Sequence, residues 1–204
     1  MANEVDGVRF PTVAHYLETL PDGVRSYPDA KIRGGLVNAV LKEVRFSDTR
    51  GALPDAVCDW IEQPPLQSEW IPQVIARVLL RSLHDEHFKT REAYLNWAYE
   101  SQRKVLSGPL YKILFLGVSP ERLIKMSASR YAHFHVGLSM EILDRSGNTA
   151  TARLHHPPLL CTPFDHAATL EGFRAGLELA GGREIVSGVA DYDDRSALLE
   201  FSWR

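Results

Sequence analysis

Residues 135–156 read His135-Val-Gly-Leu-Ser-Met-Glu-Ile-Leu-Asp-Arg-Ser-Gly-Asn-Thr-Ala-Thr-Ala-Arg-Leu-His-His156, and here the apolar period changes from 3.6 to 2. Val136, Leu138, Met140 and Ile142 alternate with Gly137, Ser139 and Glu141, the pattern of a strand with one buried face. Asp144-Arg-Ser-Gly-Asn148 is rich in turn formers and Thr149–His156 alternates again, so the stretch predicts a hairpin. Closing it with Leu143 opposite Thr149 sets Val136 against His156. His156 then shares the apolar face with Leu138, Met140, Ile142 and Leu154.

Working outward, Thr162-Pro-Phe-Asp165 is a capping box with aspartate in the usual glutamate position and proline at the first helical residue. The helix it opens ends at Gly181-Gly182, a good C-cap. A second hairpin follows, Ile185–Ala190 and Ala197–Trp203 around Asp193-Asp194-Arg195, with Leu199, Phe201 and Trp203 on one face.

On the N-terminal side the period is helical. Ile32, Leu36, Val37, Val40, Leu41 and Val44 form one stripe, and Gly34-Gly35 near its start suits a close helix crossing. A short helix over Leu53–Glu62 stops at Gln63-Pro-Pro. Ser68 is expected to cap a strongly apolar helix through Trp70, Ile71, Val74, Ile75, Val78, Leu79 and Leu83, with Pro72 in its first turn. A helix from about Thr90 to Leu106 carries Tyr94, Trp97, Ala98 and Val105 inward and breaks at Gly108-Pro109, and Ser119-Pro120-Glu121 opens another that ends near His133. The expected fold is α+β, a single domain over 1–204, with a helical N-terminal two-thirds (about 11–134) followed by an antiparallel β-hairpin–helix–β-hairpin unit (about 135–204).

Composition narrows the function. The 204 residues include 45% hydrophobic and 24% charged side chains, enough to bury one sizeable core. Twenty-three basic residues stand against 26 acidic ones, with no basic run, which argues against nucleic acid as a partner. Cys58 and Cys161 are too few for a disulfide framework and fit a reducing, cytoplasmic compartment. No signal peptide is expected, and the longest apolar stretches, Ile113–Val118 and Val74–Leu80, are far below the ~20 residues of a membrane-spanning helix.

Several segments together, Lys31-Ile-Arg-Gly-Gly-Leu-Val-Asn-Ala-Val-Leu, Trp70-Ile-Pro, His133-Phe-His-Val-Gly, His156-Pro-Pro and Leu170-Glu-Gly-Phe with Leu179-Ala-Gly-Gly, resemble a paralogous family of myxobacterial proteins of unknown function, over about Arg33 to Trp203. These are packing and turn motifs, so the resemblance implies a shared fold and brings no activity, cofactor or catalytic residue with it. The order of helices, hairpin, helix and hairpin also resembles the small-molecule-binding domains of the vinyl reductase and heme–nitric oxide sensor type. The cysteine-rich metal motif of the vinyl reductase-like sensors is absent from this sequence.

Five of the eight histidines fall between 133 and 166, with Cys161 and Asp165 among them. His166, Leu170, Phe173, Leu177 and Ala180 lie on one helical stripe, which brings His166 to the sheet face that carries His156. The two are expected to meet beneath the Pro157–Pro163 loop. His156, His166 and Cys161 are weak metal candidates without a standard ligand spacing, and satisfied core histidines are the plainer reading. A one-residue slip would turn His156 to solvent and His155 inward. Arg130-Tyr131 either holds an anion or packs with the sheet. His84 and His87 read as a solvated helix end, and Asp191-Tyr-Asp-Asp194 as a hairpin turn. No GxSxG, P-loop, GxGxxG or kinase pattern occurs.

The sequence thus points to a non-enzymatic small-molecule-binding or regulatory domain with an apolar pocket, and His156, His166, Arg130 and Phe173 are its candidate ligand residues. A small apolar molecule is the expected ligand, and no cofactor is specified. A protein-interaction module, as homodimer or adaptor, is the alternative, and an enzyme with a His/Cys site the second alternative.

Overall fold

The computed structural model describes residues 5–108 and 117–204. Pro109 and residues 113–116 of the Ile113–Val118 stretch lie outside the described residues. The chain divides into two compact units, Met1–Ala93 and Tyr94–Arg204.

The first unit contains helix α1 (Pro11–Thr19), strand β1 (Lys31–Arg33), α2 (Gly34–Glu43), α3 (Asp55–Glu62), strand β2 (Trp70–Pro72) and α4 (Gln73–His87). Two of the expected helices start later than their apolar stripes suggested. Lys31–Arg33 and Trp70–Pro72 are short strands paired antiparallel, with Ile32 opposite Ile71. Ser68 is therefore no N-cap. Its carbonyl accepts from Arg33 Nη1 at 2.6 Å, while the Arg33 guanidinium lies 4.0 Å from the Trp70 ring centroid. The ladder outcompetes the helix because Pro72 lacks the N–H and biases Ile71 toward extended backbone. The N-terminus of α4 is then held by Gln73, whose N–H donates to Ala30 O at 2.8 Å and whose Nε2 donates to Lys31 O at 3.1 Å.

The glycine pair does admit a close neighbour, but the neighbour is the 65–69 loop rather than a helix. Gly34 N–H donates to Glu69 O at 2.8 Å and Gly35 N–H to Gln67 O at 3.2 Å. A Cβ on Gly34 would stand 2.5 Å from Leu66 O and 2.9 Å from Pro65 Cβ.

Helix α1 begins without a side-chain cap of its own. Asp85, in the last turn of α4, supplies one: its carboxylate accepts from Thr12 N at 2.9 Å, Thr12 Oγ1 at 2.8 Å and Val13 N at 3.4 Å. Orphan donors of a helix start are met, and a negative charge sits at the positive end of the dipole. Next to it, burial alone would raise the Glu86 carboxyl, but hydrogen bonds from the Ser47 hydroxyl, Arg9 Nη2 and Ser47 N outweigh burial and hold it below the ordinary carboxylate range. A depressed folded pKa contributes stability above the unfolded value and loses it as pH falls. The urea midpoint of the native chain is thus expected to exceed that of Glu86→Gln above about pH 4.3 and to converge on it at more acid pH. A difference that grows on acidification would reverse the assignment.

The second unit contains α5 (Arg91–Ser107, its first turn in the preceding unit), α6 (Pro120–Phe134), β3 (His135–Val136), β4 (Ser139–Ser146), β5 (Thr149–His155), α7 (Pro163–Leu179), β6 (Val186–Tyr192) and β7 (Ser196–Ser202). Ser119 caps α6, accepting from Arg122 N at 3.4 Å, with Pro120 at the first helical position. Strands β4–β7 form one antiparallel sheet in the order β4-β5-β7-β6, with α6 packed on β4 and α7 on β6. The hairpin–helix–hairpin order is as expected. Leu199, Phe201 and Trp203 are buried on one face together with Met140, Ala150, Ala152, Leu154, Leu170 and Leu177.

The first hairpin closes differently from the expected register. Ser146 pairs with Thr149 across a two-residue Gly147-Asn148 turn, Gly147 having φ 53°, the position at which such turns need glycine. A bulge at Leu143 interrupts the ladder between Ile142 and Asp144, and below it Ser139 faces His155. The lower half is displaced by two residues, an even shift that leaves each side chain on its expected face. The single long strand is also broken at Gly137, φ 76°, and Val136 is exposed rather than on the apolar face.

Helix α7 ends in a Schellman motif. Gly181, φ 93°, donates to Glu178 O at 2.9 Å and Gly182 donates to Leu177 O at 2.9 Å. Nothing lies within 4 Å of a Cβ built on Gly181, so a side chain there meets only backbone strain. Gly181→Val is expected to lose ~1–2 kcal/mol in thermal or urea unfolding, and an unchanged melting temperature would count against the C-cap.

Candidate functional site

Strand β5 and helix α7 meet at a corner bridged by residues 157–162. On β5 the residues Ala150, Ala152 and Leu154 point inward, and the alternation carries on to His156, which is 6% exposed. His156 N–H donates to Arg195 O at 2.9 Å and extends the β5–β7 ladder by one rung beyond His155–Ser196. His155 points outward, with Nε2 3.9 Å from Glu141 Oε2.

Beyond Pro157-Pro158 the chain is tied to the β6–β7 turn by Leu159 N–H donating to Asp194 O at 2.6 Å. Leu159 has φ 58°, a left-handed conformation uncommon for leucine, and Leu160 and Cys161 are buried. Thr162 then opens α7: its N–H and Oγ1 donate to Asp165 Oδ2 at 2.8 and 2.9 Å, the expected capping box. One turn on, His166 is completely buried.

The two histidines do meet. Their ring centroids are 5.3 Å apart at an interplanar angle of 37°, direct packing distance for two planar rings. His156 Nδ1 is 2.9 Å from Pro157 O and donates to it, which leaves Nε2 the acceptor in the neutral ring. Beside the corner, Asp193 accepts from Arg195 N at 2.7 Å and Ser196 N at 2.6 Å. Those backbone donors, with a smaller contribution from His156, hold its carboxyl below the usual range.

The other candidates lie elsewhere. Arg130 is half-buried on α6 and, among the described residues, makes no hydrogen bond or ion pair, while its neighbour Tyr131 stacks on His135 at 4.0 Å. Phe173 is half-buried and packs its ring 5.3 Å from Phe201. Cys161 lies buried in the bridging segment and is in no disulfide among the described residues. Among the described residues no group of three or more His, Cys, Asp or Glu is placed to hold a metal ion. Asp165, which the histidine clustering drew attention to, spends its carboxylate on the helix cap.

Sequence reasoning missed two partners of this corner. Phe164 stacks on Tyr94 at 4.8 Å, which joins the first turn of α7 to α5. Further along the same pair of helices the Tyr99 hydroxyl donates to Glu178, and the Arg174 guanidinium lies 4.3 Å from the Tyr99 ring centroid. Burial and the Glu178 carboxylate push the Tyr99 phenol up. Tyr94 was legible as an inward residue, but nothing in the spacing named Phe164 as its partner.

No protein-family model matches the chain, and no curated protein matches it. The resemblance to a myxobacterial family finds no support there. Solved structures do match. A structure from work on heme distortion in the H-NOX family superposes with a TM-score of 0.58 at 12% identity, covering 85% of this chain and 95% of that one. Fe(II) unliganded H-NOX from K. algicida matches with a TM-score of 0.54 at 13% identity, over 85% of this chain and 97% of that one. A point mutant of T. tengcongensis H-NOX covers 96% of this chain and 97% of its own, with a TM-score of 0.50 at 11% identity. At such identities the similarity establishes architecture alone, and the chain has the α+β fold of the H-NOX domains.

Proposed function

We propose that residues 1–204 act as one non-enzymatic small-molecule-binding or regulatory domain, with His156 and His166 as the polar groups of its site. The observation that supports this most is the pair of buried imidazoles packed together at the α7–sheet corner of an H-NOX-like fold. Buried polar groups converging in an otherwise apolar setting are the usual mark of a ligand site. Phe173, one face along α7, is proposed to bound it, and Arg130 to meet an anionic group if the ligand carries one. The compartment is proposed to be cytoplasmic; no helix of the described residues is long and apolar enough to cross a membrane.

Among the matched structures, one concerns heme distortion in the H-NOX family and another heme redox potential and porphyrin distortion. Heme iron takes an axial His, Cys, Met or Tyr. Between His156 and His166 there is no room for a porphyrin, because the rings are already in contact at 5.3 Å. A heme sandwiched between the two rings does not fit, and the ligand proposed for the pair is a smaller, largely apolar molecule.

Native mass spectrometry of the full chain purified from its own host tests the reading. The expected spectrum shows a bound small molecule that is lost on denaturation. A bare chain whose melting temperature is unmoved by an apolar extract of that host would overturn it. A bare dimer would instead favour the interaction module, which is supported by Val186 and Tyr192, 67% and 55% exposed on the edge strand β6.

A further inference from the structure

We infer that strand β6 pairs antiparallel with the β6 of a second copy of this chain, about a two-fold axis at Gly188. The inference does not depend on the proposed ligand, because none of the candidate ligand residues lies on β6.

The four-stranded sheet has two outer edges, β4 and β6, and they differ in chemistry. An outer strand exposes a row of unpaired backbone donors and acceptors, which proteins blunt with charge, proline or a bulge. Strand β4 is blunted: Glu141, Asp144 and Arg145 lie along it, and the bulge at Leu143 interrupts it in mid-strand. Strand β6 is largely not. Its first five residues, Val186-Ser-Gly-Val-Ala190, carry neither charge nor proline, and the irregularity in its ladder falls only at Ala190, the last of them. Val186, 67% exposed, opens this run and Tyr192, 55% exposed, lies just beyond it. Among the described residues β7 is the one strand paired with β6.

The register follows from the faces. Ser187 and Val189 lie opposite Phe201 and Leu199, two core residues, so both belong to the inner face of the sheet. A two-fold axis normal to the sheet at Gly188 sets Ser187 against Val189 of the second copy, inner face beside inner face, and the two sheets continue as one.

Charge selects the second copy as the occupant and fixes the direction. Exposed Arg183, with Arg204 paired to Glu184 at 2.7 Å, leaves the start of β6 with one net positive charge. Asp191, Asp193 and Asp194 against Arg195 leave its end with two net negative charges. Antiparallel pairing brings the positive start of each strand to the negative end of the other, with Arg183 beside Asp193 and Asp194 of the second copy, twice over. A parallel pair would set like ends together. Complementary ends of this kind fix register and orientation. Two short strands bury less than the ~1,600 Å² of a standard interface, so the dimer is reversible, with a Kd on the order of 10–100 µM.

Sedimentation velocity of the full chain, over a range of roughly 5–500 µM that brackets this Kd, tests the pairing. A monomer–dimer equilibrium is expected, weakened by added salt. Arg183→Glu should raise the Kd at least about tenfold, and adding Asp194→Lys to it should restore most of the loss, since both side chains are exposed and the swap re-forms the opposite charges. Val186→Lys, a charge placed on the neutral run, should leave the chain monomeric. In the native chain, deuterium uptake of peptides covering 186–190 should fall as concentration rises while that of 139–146 stays constant. A monomer throughout the range overturns the inference and leaves the edge to an extended segment of another protein. A dimer whose Kd ignores Arg183→Glu and Val186→Lys, or whose protection appears at β4 instead, overturns it equally.

Discussion

Leu177→Ala is expected to lower the free energy of unfolding by ~2–5 kcal/mol, the range for emptying a leucine site in a core that relaxes only partly. Leu177 is 0% exposed and belongs to the cluster that includes Leu154, Leu199, Phe201 and Trp203. The strand side of that cluster is a hydrogen-bonded sheet, which cannot move in to fill a void as a loop could. Phe173, on the same stripe, was expected to be equally deep but is only half-buried, so Phe173→Ala should cost less than Leu177→Ala. Urea unfolding of both variants ranks them. A loss below about 1 kcal/mol for Leu177→Ala would place the stripe at the surface.

The second large effect is expected at Gly34. In a helix, alanine normally gains up to ~1 kcal/mol over glycine. Here the added methyl collides with backbone, 2.5 Å from Leu66 O, and the loop must shift while it still accepts from Gly34 and Gly35. Overpacking of this kind costs about 1–3 kcal/mol or more, so it outweighs the propensity gain and Gly34→Ala should be net destabilising. At Gly35 the nearest atom to a new Cβ is Gln67 O at 3.3 Å, tight but adjustable, and Gly35→Ala should be close to neutral. Equal melting temperatures for Gly34→Ala and the native chain would remove the close approach.

Local chemistry was the legible part of this fold. Thr162-Pro-Phe-Asp165 and Gly181-Gly182 carry their structure within a few residues, and both ends of α7 formed as the sequence implied. The hairpin was harder, since five turn-forming residues in a row leave open which two make the turn. Gly147-Asn148 does, and Leu143 is bulged. His156 still faced inward because the displacement below the bulge is even. Lys31–Arg33 and Trp70–Pro72 were hidden because three residues are too few to show a period of 2, and Ile32 and Ile71 happen to extend the helical stripes that follow. At the site, two periodicities crossing at one corner were enough to bring His156 and His166 together. The attachment of the bridging segment to Asp194 and Arg195 links residues about 35 apart in sequence and left no mark that spacing could reveal.

The cap that Asp85 gives to α1 has a consequence for how the first unit comes apart. A helix end usually frays by itself, and its first amides exchange with solvent almost freely. Thr12 and Val13 instead donate to a carboxylate that stays in place only while the last turn of α4 is wound. Their amides are expected to exchange with deuterium at the rate of the α4 terminus, as one cooperative opening shared by segments more than 70 residues apart, and Asp85→Asn should uncouple the two rates. The start of the chain's first helix is in this sense governed from the end of its fourth.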